Sequence, residues 1–564
     1  MKFSDLPYSR AALEELTARL DQITAELESA PTPESALEAV LKKDKLTREL
    51  ATQADIAYVR HTVNTADEFY NAEKDYYDEA MPLFEENVQR FGKALVSSRH
   101  RARLESELGG LLFGNTEMSL KTFSPAIIED LQRENKLSSA YVKLLASAKI
   151  PFEGKELTRS QLIFYKEHRD RGTRKRAYEA DAGFLNLHKG ELDEIFDELV
   201  KTRTSMARKL GFDDYIQLGY YQMQRNSYDQ NDVARFREMV CSKLAPIIAK
   251  LKAAQAARLG LDALHLYDDS ALFPDGNAVP KGTPDEIFEA GRRMYGELSP
   301  ETKAFFEYML EHGLFDVLSR PDKAGGGYCT YIPDHEFPFI FANFNGTTGD
   351  IDVLTHEAGH ALAAYTARGV RLFDLHSPTY EACEVHSMAM EFFTWPWMEL
   401  FFDDAGKYRF GHLSGAFSFI PYGCIVDEFQ HIVYANPNMS PGERCEAYLS
   451  LEAKYRPYLQ FGGTPFYNEG RRWQVQTHIY ERPFYYIDYC LAQTVALHLW
   501  AMSQNDFKGA WDKYLSFLTR GGSMTFNNLL ESAGLPSPFS PETFDAVERS
   551  VSAWLEKEGR SHAV

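Results

Sequence analysis

Cysteine is sparse in this chain. Cys241, Cys329, Cys383, Cys424, Cys445 and Cys490 are its six, and no two form a C-x-x-C pair. Thin, unpatterned thiols exclude a disulfide scaffold and fit a reducing compartment. No apolar run approaches the roughly 18 residues of a membrane span, so none is expected. The stretch Met1 to Arg10 lacks the apolar core of a signal peptide, which makes the cytoplasm the expected location. Positive charge is also short. The 61 Lys and Arg face 82 Asp and Glu, a net charge of −21. Phosphate backbones need a basic surface, so nucleic acid is excluded as a main partner.

Large apolar side chains are plentiful. The 564 residues are 44% hydrophobic, with 38 Phe and 31 Tyr, enough for a sizeable core in two or more lobes. A 3.6-residue apolar period runs through 9–30, 37–58 and 65–95, which predicts antiparallel helical hairpins. Helical patterns resume from Pro125 to Ala148. A short hairpin is expected over 149–158, and helices over 190–211, 230–258, 285–297 and 299–312. The basic run Arg171–Ala180 reads as a solvated helix start. After residue 320 the pattern turns aromatic and β-prone at 325–332 and 337–345. Helices return over 350–368, 378–395, 409–435, 441–455, 478–504 and 541–557. The fold class expected is mainly α, with one small sheet just before the helix at 350–368.

That helix carries His356-Glu-Ala-Gly-His360. Four residues is about one helical turn, so both imidazoles share a face and can reach one zinc ion. Glu357 points about 100° away and can stand beside a water. This is the zincin pattern. A catalytic zinc wants a third protein ligand and an open position. The helix over 378–395 offers Glu381, Glu384, His386 and Glu391, and the three glutamates share one face. Burying three carboxylates without cations costs several kcal/mol each, which favours a metal over a surface stripe. Spacing alone does not choose among them. A strand at Ala342-Asn343-Phe344 could hold an extended peptide by edge pairing.

The combination His356-Glu-Ala-Gly-His360 and Glu381-Ala-Cys-Glu384-Val-His-Ser387-Met-Ala-Met-Glu391 resembles the M3 family of zinc oligopeptidases, its oligoendopeptidase F/Pz-peptidase branch above all. Arg203–Tyr215, His478–Tyr489 and Leu518–Ser523 extend the resemblance over about residues 120–560. It implies a two-lobed zincin with a deep channel for short unstructured peptides. A helical region over 1–190 would partly cover that channel, and a catalytic domain would fill 191–564. It implies one zinc ion on His356, His360 and Glu384, with Glu357 as general base in endopeptidase chemistry. Glu391 and Glu381 would be outer acids. Tyr486, Tyr489 and His478 would stabilise the oxyanion, and Tyr485 could bind substrate. His386 would be a partly exposed helix residue. The alternatives are an aminopeptidase of another zincin family and a helical scaffold carrying the motif by accident.

Overall fold

The computed structural model describes residues 1–561. Five helices open the chain: α1 (Leu13–Ser29), α2 (Pro33–Val63), α3 (Glu68–Val96), α4 (Arg101–Leu108) and α5 (Gly110–Ser119). Pro33 sits in the first turn of α2, where a missing N–H costs nothing, and the Thr32 hydroxyl accepts from Ser35 N–H. Gly109 takes φ +88° to part α4 from α5. These helices enclose a core of their own, with Leu20, Ala36, Phe84, Leu104 and Phe113. Near its end α2 leaves that core: Ile56 and Val59 pack into the much larger one built by the rest of the chain.

α6 (Ile128–Ala146) leads to the expected hairpin, β1 (Ile150–Phe152) against β2 (Lys155–Leu157), and then to α7 (Arg159–Lys166). α8 (Arg171–Lys209) starts well before the expected residue 190. Asp170 caps its first turn, and Leu185, Leu192, Phe196 and Leu199 are fully buried along it, so Gly183 and Gly190 do not break it. The boundary expected between 190 and 191 therefore falls inside a continuous helix. The basic run at its start is structural: Arg171 and Arg174 hold the buried Asp268 at 2.8 and 2.9 Å.

α9 (Tyr215–Gln222), α10 (Gln230–Met239) and α11 (Ala245–Arg258) follow. The single helix expected over 230–258 is interrupted by a π turn at Val240–Leu244, just before Pro246, which cannot donate to the ladder. α12 (Pro284–Leu298) and α13 (Pro300–His312) lead to a three-stranded sheet. Its strands are β3 (Phe315–Leu318), β4 (Tyr328–Ile332) and β5 (Phe337–Phe344), in the order β3-β5-β4. β5 runs parallel to β3 and antiparallel to β4, with Phe341 opposite both Asp316 and Tyr328. The sequence pattern missed β3, which is only four residues long.

The remaining helices are α14 (Gly349–Thr366), α15 (Tyr380–Phe393), α16 (Ala405–Ala435), α17 (Pro441–Tyr455), α18 (Thr477–Glu481), α19 (Tyr486–Ser503), α20 (Phe507–Leu518), α21 (Phe526–Ser532) and α22 (Pro541–Ser561). The helix expected over 478–504 is split at Arg482–Tyr485, where Pro483 removes a donor and Phe484 adopts φ +67°. Among the described residues no helix is long and apolar enough to cross a membrane.

α14 and α15 meet backbone to backbone at Gly359. A Cβ there would stand 2.4 Å from the His386 carbonyl oxygen and 2.6 Å from Ser387 Cα. Neither atom can yield without moving a helix. Gly359→Ala is therefore expected to cost about 1–3 kcal/mol by overpacking. Gly415→Ala on α16 meets nothing within 4 Å and should be neutral or slightly stabilising. Urea denaturation of the two variants checks the contrast.

Candidate active site

His356 and His360 leave α14 on one face, their ring centroids 5.1 Å apart. Glu384 comes from α15, and its Oε2 lies 3.3 Å from His356 Nε2 and 3.4 Å from His360 Nε2. One donor atom from each residue falls within 4.8 Å of the other two. Three ligands at 2.0–2.1 Å on tetrahedral directions stand about 3.3 Å apart, so this set fits a zinc ion. Ser387 Oγ donates to Glu384 Oε2 at 2.9 Å, and the Tyr485 hydroxyl donates to Oε1. Burial opposes the charge on Glu384. The His360 and His356 imidazoles outweigh it and hold the carboxyl well below its usual range.

Behind the ligand face stands a chain of hydrogen bonds. Glu391 Oε1 accepts from His356 Nδ1 at 2.6 Å, and its Oε2 accepts from His412 Nε2 at 2.7 Å. Trp395 Nε1, which can only donate, reaches His412 Nδ1 at 3.3 Å. That fixes His412 with its proton on Nε2, and fixes His356 with its proton on Nδ1 and its Nε2 lone pair free for a metal. Nothing in the motif spacing pointed to His412. The one trace is its i,i+4 relation on α16 to Tyr408, whose hydroxyl reaches Asp352 of α14 at 2.7 Å.

Glu381 is not an outer acid of this set. It is fully buried one helical turn away, where Oε1 accepts from Thr379 Oγ1 at 2.8 Å and Oε2 has no partner. Burial, with Asp488 nearby, pushes its carboxyl up to about 8. His386 is not partly exposed either. Its face of α15 is turned into the core beside Phe517, both ring nitrogens are unpartnered, and burial pushes the imidazole down to about 3.

Glu357 is buried, and its Oε2 has no partner in the protein. Burial raises its pKa, an effect partly offset by His356 and His360. The backbone of Gly327 passes so close that a Cβ there would lie 3.3 Å from Glu357 Oε1. Asn343 steadies this loop by donating from Nδ2 to the carbonyls of Ala324 and Gly326, both at 2.9 Å. The strand Ala342-Asn343-Phe344 itself is no free edge. β5 is the central strand, Ala342 and Phe344 are buried, and Lys323 Nζ occupies the Ala342 carbonyl. The edge beside Glu357 is β4.

On the far side of the ligands, α18 and α19 bring His478, Tyr485, Tyr486 and Tyr489 into one aromatic cluster, His478 lying 5.0 Å from the Tyr486 ring. The Tyr422 hydroxyl donates to Gln476 Oε1 at 2.8 Å. This orients the amide so that Nε2 donates to His478 Nδ1 at 2.9 Å. The His478 proton is then on Nε2, 3.1 Å from the Tyr489 oxygen, and burial pushes the imidazole down to about 4, so it stays neutral. The Tyr489 hydroxyl then has its hydrogen to give, with the Tyr485 oxygen beside it as an acceptor. Tyr485, expected to touch substrate, spends its hydroxyl on Glu384. Tyr486 packs its ring against Phe419 and Tyr422.

Comparison with known proteins agrees with this geometry. The profile "Peptidase M3 N-terminal domain" matches residues 3–123, and "Peptidase family M3" matches residues 164–274 and 301–548. A solved structure of Pz peptidase A with an inhibitor is 48% identical, with a TM-score of 0.98 over 99% of each chain. A Bacillus anthracis structure described as a candidate oligoendopeptidase F is 44% identical, with a TM-score of 0.93 over 99% of this chain and 98% of that one. Oligopeptidase PepF of Bacillus subtilis is 22% identical over 95% of this chain and 82% of its own. Fold and site together define a metalloendopeptidase. The chain belongs to peptidase family M3.

His412→Phe keeps the packing beside Trp395 and frees one oxygen of Glu391. Metal affinity should fall about 10- to 100-fold, with helix content unchanged. Competition with a chromogenic chelator reads the first and far-UV circular dichroism the second.

Proposed function

We propose that this protein cuts internal bonds of short, unstructured oligopeptides, with one zinc ion held by His356, His360 and Glu384. The observation that carries the reading is the convergence of His356 Nε2, His360 Nε2 and Glu384 Oε2 at 3.3–3.4 Å, next to an unpartnered Glu357 oxygen. Bound there, zinc polarises the scissile carbonyl and lowers the pKa of a water toward ~7. Glu357 takes the proton of the attacking water on its free Oε2 and delivers it to the leaving amine. Its raised pKa suits both halves of that transfer. Tyr489, its oxygen held by His478, turns its hydrogen from Tyr485 to the oxygen that gains charge, and Tyr486 borders the same space. Tyr485 holds Glu384 rather than substrate.

An extended peptide adds along β4, whose outer edge has no strand partner among the described residues and which begins beside Glu357. Tyr58 of α2 stands over that edge, 5.4 Å from the Tyr328 ring, and Thr62 bonds the Tyr328 hydroxyl at 2.6 Å. The N-terminal helices thus form a cover that a folded substrate does not pass.

The test is a peptide blocked at both ends. The wild type should cut it internally, and a chelator should abolish cutting. Glu357→Gln should retain its zinc and lose at least about a thousandfold in kcat. Turnover by zinc-loaded Glu357→Gln, or cleavage only of peptides with a free amino terminus, would contradict the reading.

A further inference from the structure

Arg482 sits at the break between α18 and α19, a place too well built to be a casual surface loop. Its N–H reaches the His478 carbonyl at 2.9 Å, and its carbonyl accepts from Tyr485 N–H at 3.2 Å. Phe484, held at φ +67°, is fully buried. Its N–H donates to Gln430 Oε1 at 2.9 Å, and its carbonyl accepts from Arg225. A non-glycine residue stays in that region only where its surroundings enforce it, and such positions cluster at ligand clamps. The enforced turn does two things. It presents Tyr485 to Glu384, and it leaves the Arg482 side chain exposed.

Among the described residues no carboxylate forms an ion pair with the guanidinium, and Glu481, its neighbour in sequence, feels its charge without bonding to it. Arg225, Arg237, Arg456 and Arg471 each contact a carboxylate. Among the described residues the Arg482 side chain has one hydrogen-bond partner, the Tyr380 hydroxyl at 2.9 Å. Its other donors are free. In a chain of net charge −21 an arginine left unpaired beside the reaction site is a vacancy for an anion. Tyr380 opens α15, its ring lies 5.1 Å from Tyr485, and the guanidinium stands 5.6 Å from the Tyr380 ring centroid. The planar guanidinium fork matches a carboxylate in two hydrogen bonds.

We propose that Arg482 is a specificity residue that receives a carboxylate of the bound peptide, either an Asp or Glu side chain or the free α-carboxylate of its C-terminus. The inference rests on the reading of the site as a peptide-cleaving centre. Both sources offer the same planar anion to the same fork, at a fixed displacement from the cut bond set by the rigid turn. Peptides that carry the anion there bind more tightly than their neutral isosteres.

The test uses one parent peptide in matched pairs: free acid against amide at the C-terminus, and Glu against Gln at each position about the cut bond. Each is measured for KM and kcat, and for equilibrium binding as a non-cleavable analogue with a methylene-amine in place of the scissile amide. The wild type should favour one carboxylate over its neutral twin by about tenfold or more, in KM and Kd rather than kcat. In Arg482→Met that ratio should fall to about one, Arg482→Lys should restore part of it, and Arg482→Glu should reverse it toward Lys at the same position. Tyr380→Phe, which removes only the bracing hydroxyl, should retain most of it. A wild-type preference that Arg482→Met leaves intact, or no preference at any position in either binding or KM, would overturn the inference while leaving chelator-sensitive cleavage, and so the peptidase reading, untouched. Carboxylate-selective binding by a protein with no chelator-sensitive cleavage would do the reverse.

Discussion

Where α14 passes α15 there is no room for a side chain on Gly359, and the two backbones touch. That approach sets the distance between the histidines of one helix and the glutamates of the other. Glu384 Oε2 stands at nearly equal distance from His356 and His360 because Gly359, between them in sequence, allows the facing helix so near. A larger residue would open the gap that a small cation must span. The same contact buries the acids. A carboxylate as enclosed as Glu384 is tolerated only where positive charge and hydrogen-bond donors surround it.

From this contact the polar groups extend outward in two directed chains. One runs from Trp395 through His412 to Glu391, which accepts from His412 on one oxygen and from the ligand histidine His356 on the other. The other runs from Tyr422 through Gln476 and His478 to Tyr489. The first chain starts from the Trp395 indole, which can only donate, and the second from the Tyr422 hydroxyl, which donates to the Gln476 oxygen and so orients that amide, and each fixes a tautomer. The first leaves a lone pair free on His356 Nε2, and the second makes the Tyr489 oxygen an acceptor of His478, so that its hydrogen is a donor with Tyr485 beside it. Glu357, one helical position from His356, keeps one oxygen unpartnered. α2 reaches from the core of the N-terminal helices into the larger one, and its Tyr58 and Thr62 meet Tyr328 of β4.

Much of this was legible in the sequence because helical periodicity is local. His356 and His360 share a face by arithmetic, and the spacing of Glu384 and Glu391 puts both on the facing helix. The choice between Glu381 and Glu384 was not arithmetic, since both lie on that face. It depends on how α15 is rotated against α14, which is decided by packing, and that rotation sends Glu381 to Thr379 and into the core. His412 was invisible for the same reason: its partner lies on another helix and no short motif links them. The strand at 337–344 was correctly recognised as β-prone, but its place in the sheet turned on β3, too short to announce itself. With β3 on its other side, β5 became central and β4 the edge. The break after Glu481 could be suspected from Pro483, yet the left-handed Phe484 is enforced by Gln430 and Arg225, residues remote in sequence.

The measurement that bears most directly on this account is metal content, by plasma mass spectrometry, of the wild type, Glu384→Gln and Glu381→Gln after identical gentle purification. The account predicts one zinc per chain in the wild type and in Glu381→Gln, and little or none in Glu384→Gln. Full zinc in Glu384→Gln together with its loss from Glu381→Gln would contradict it.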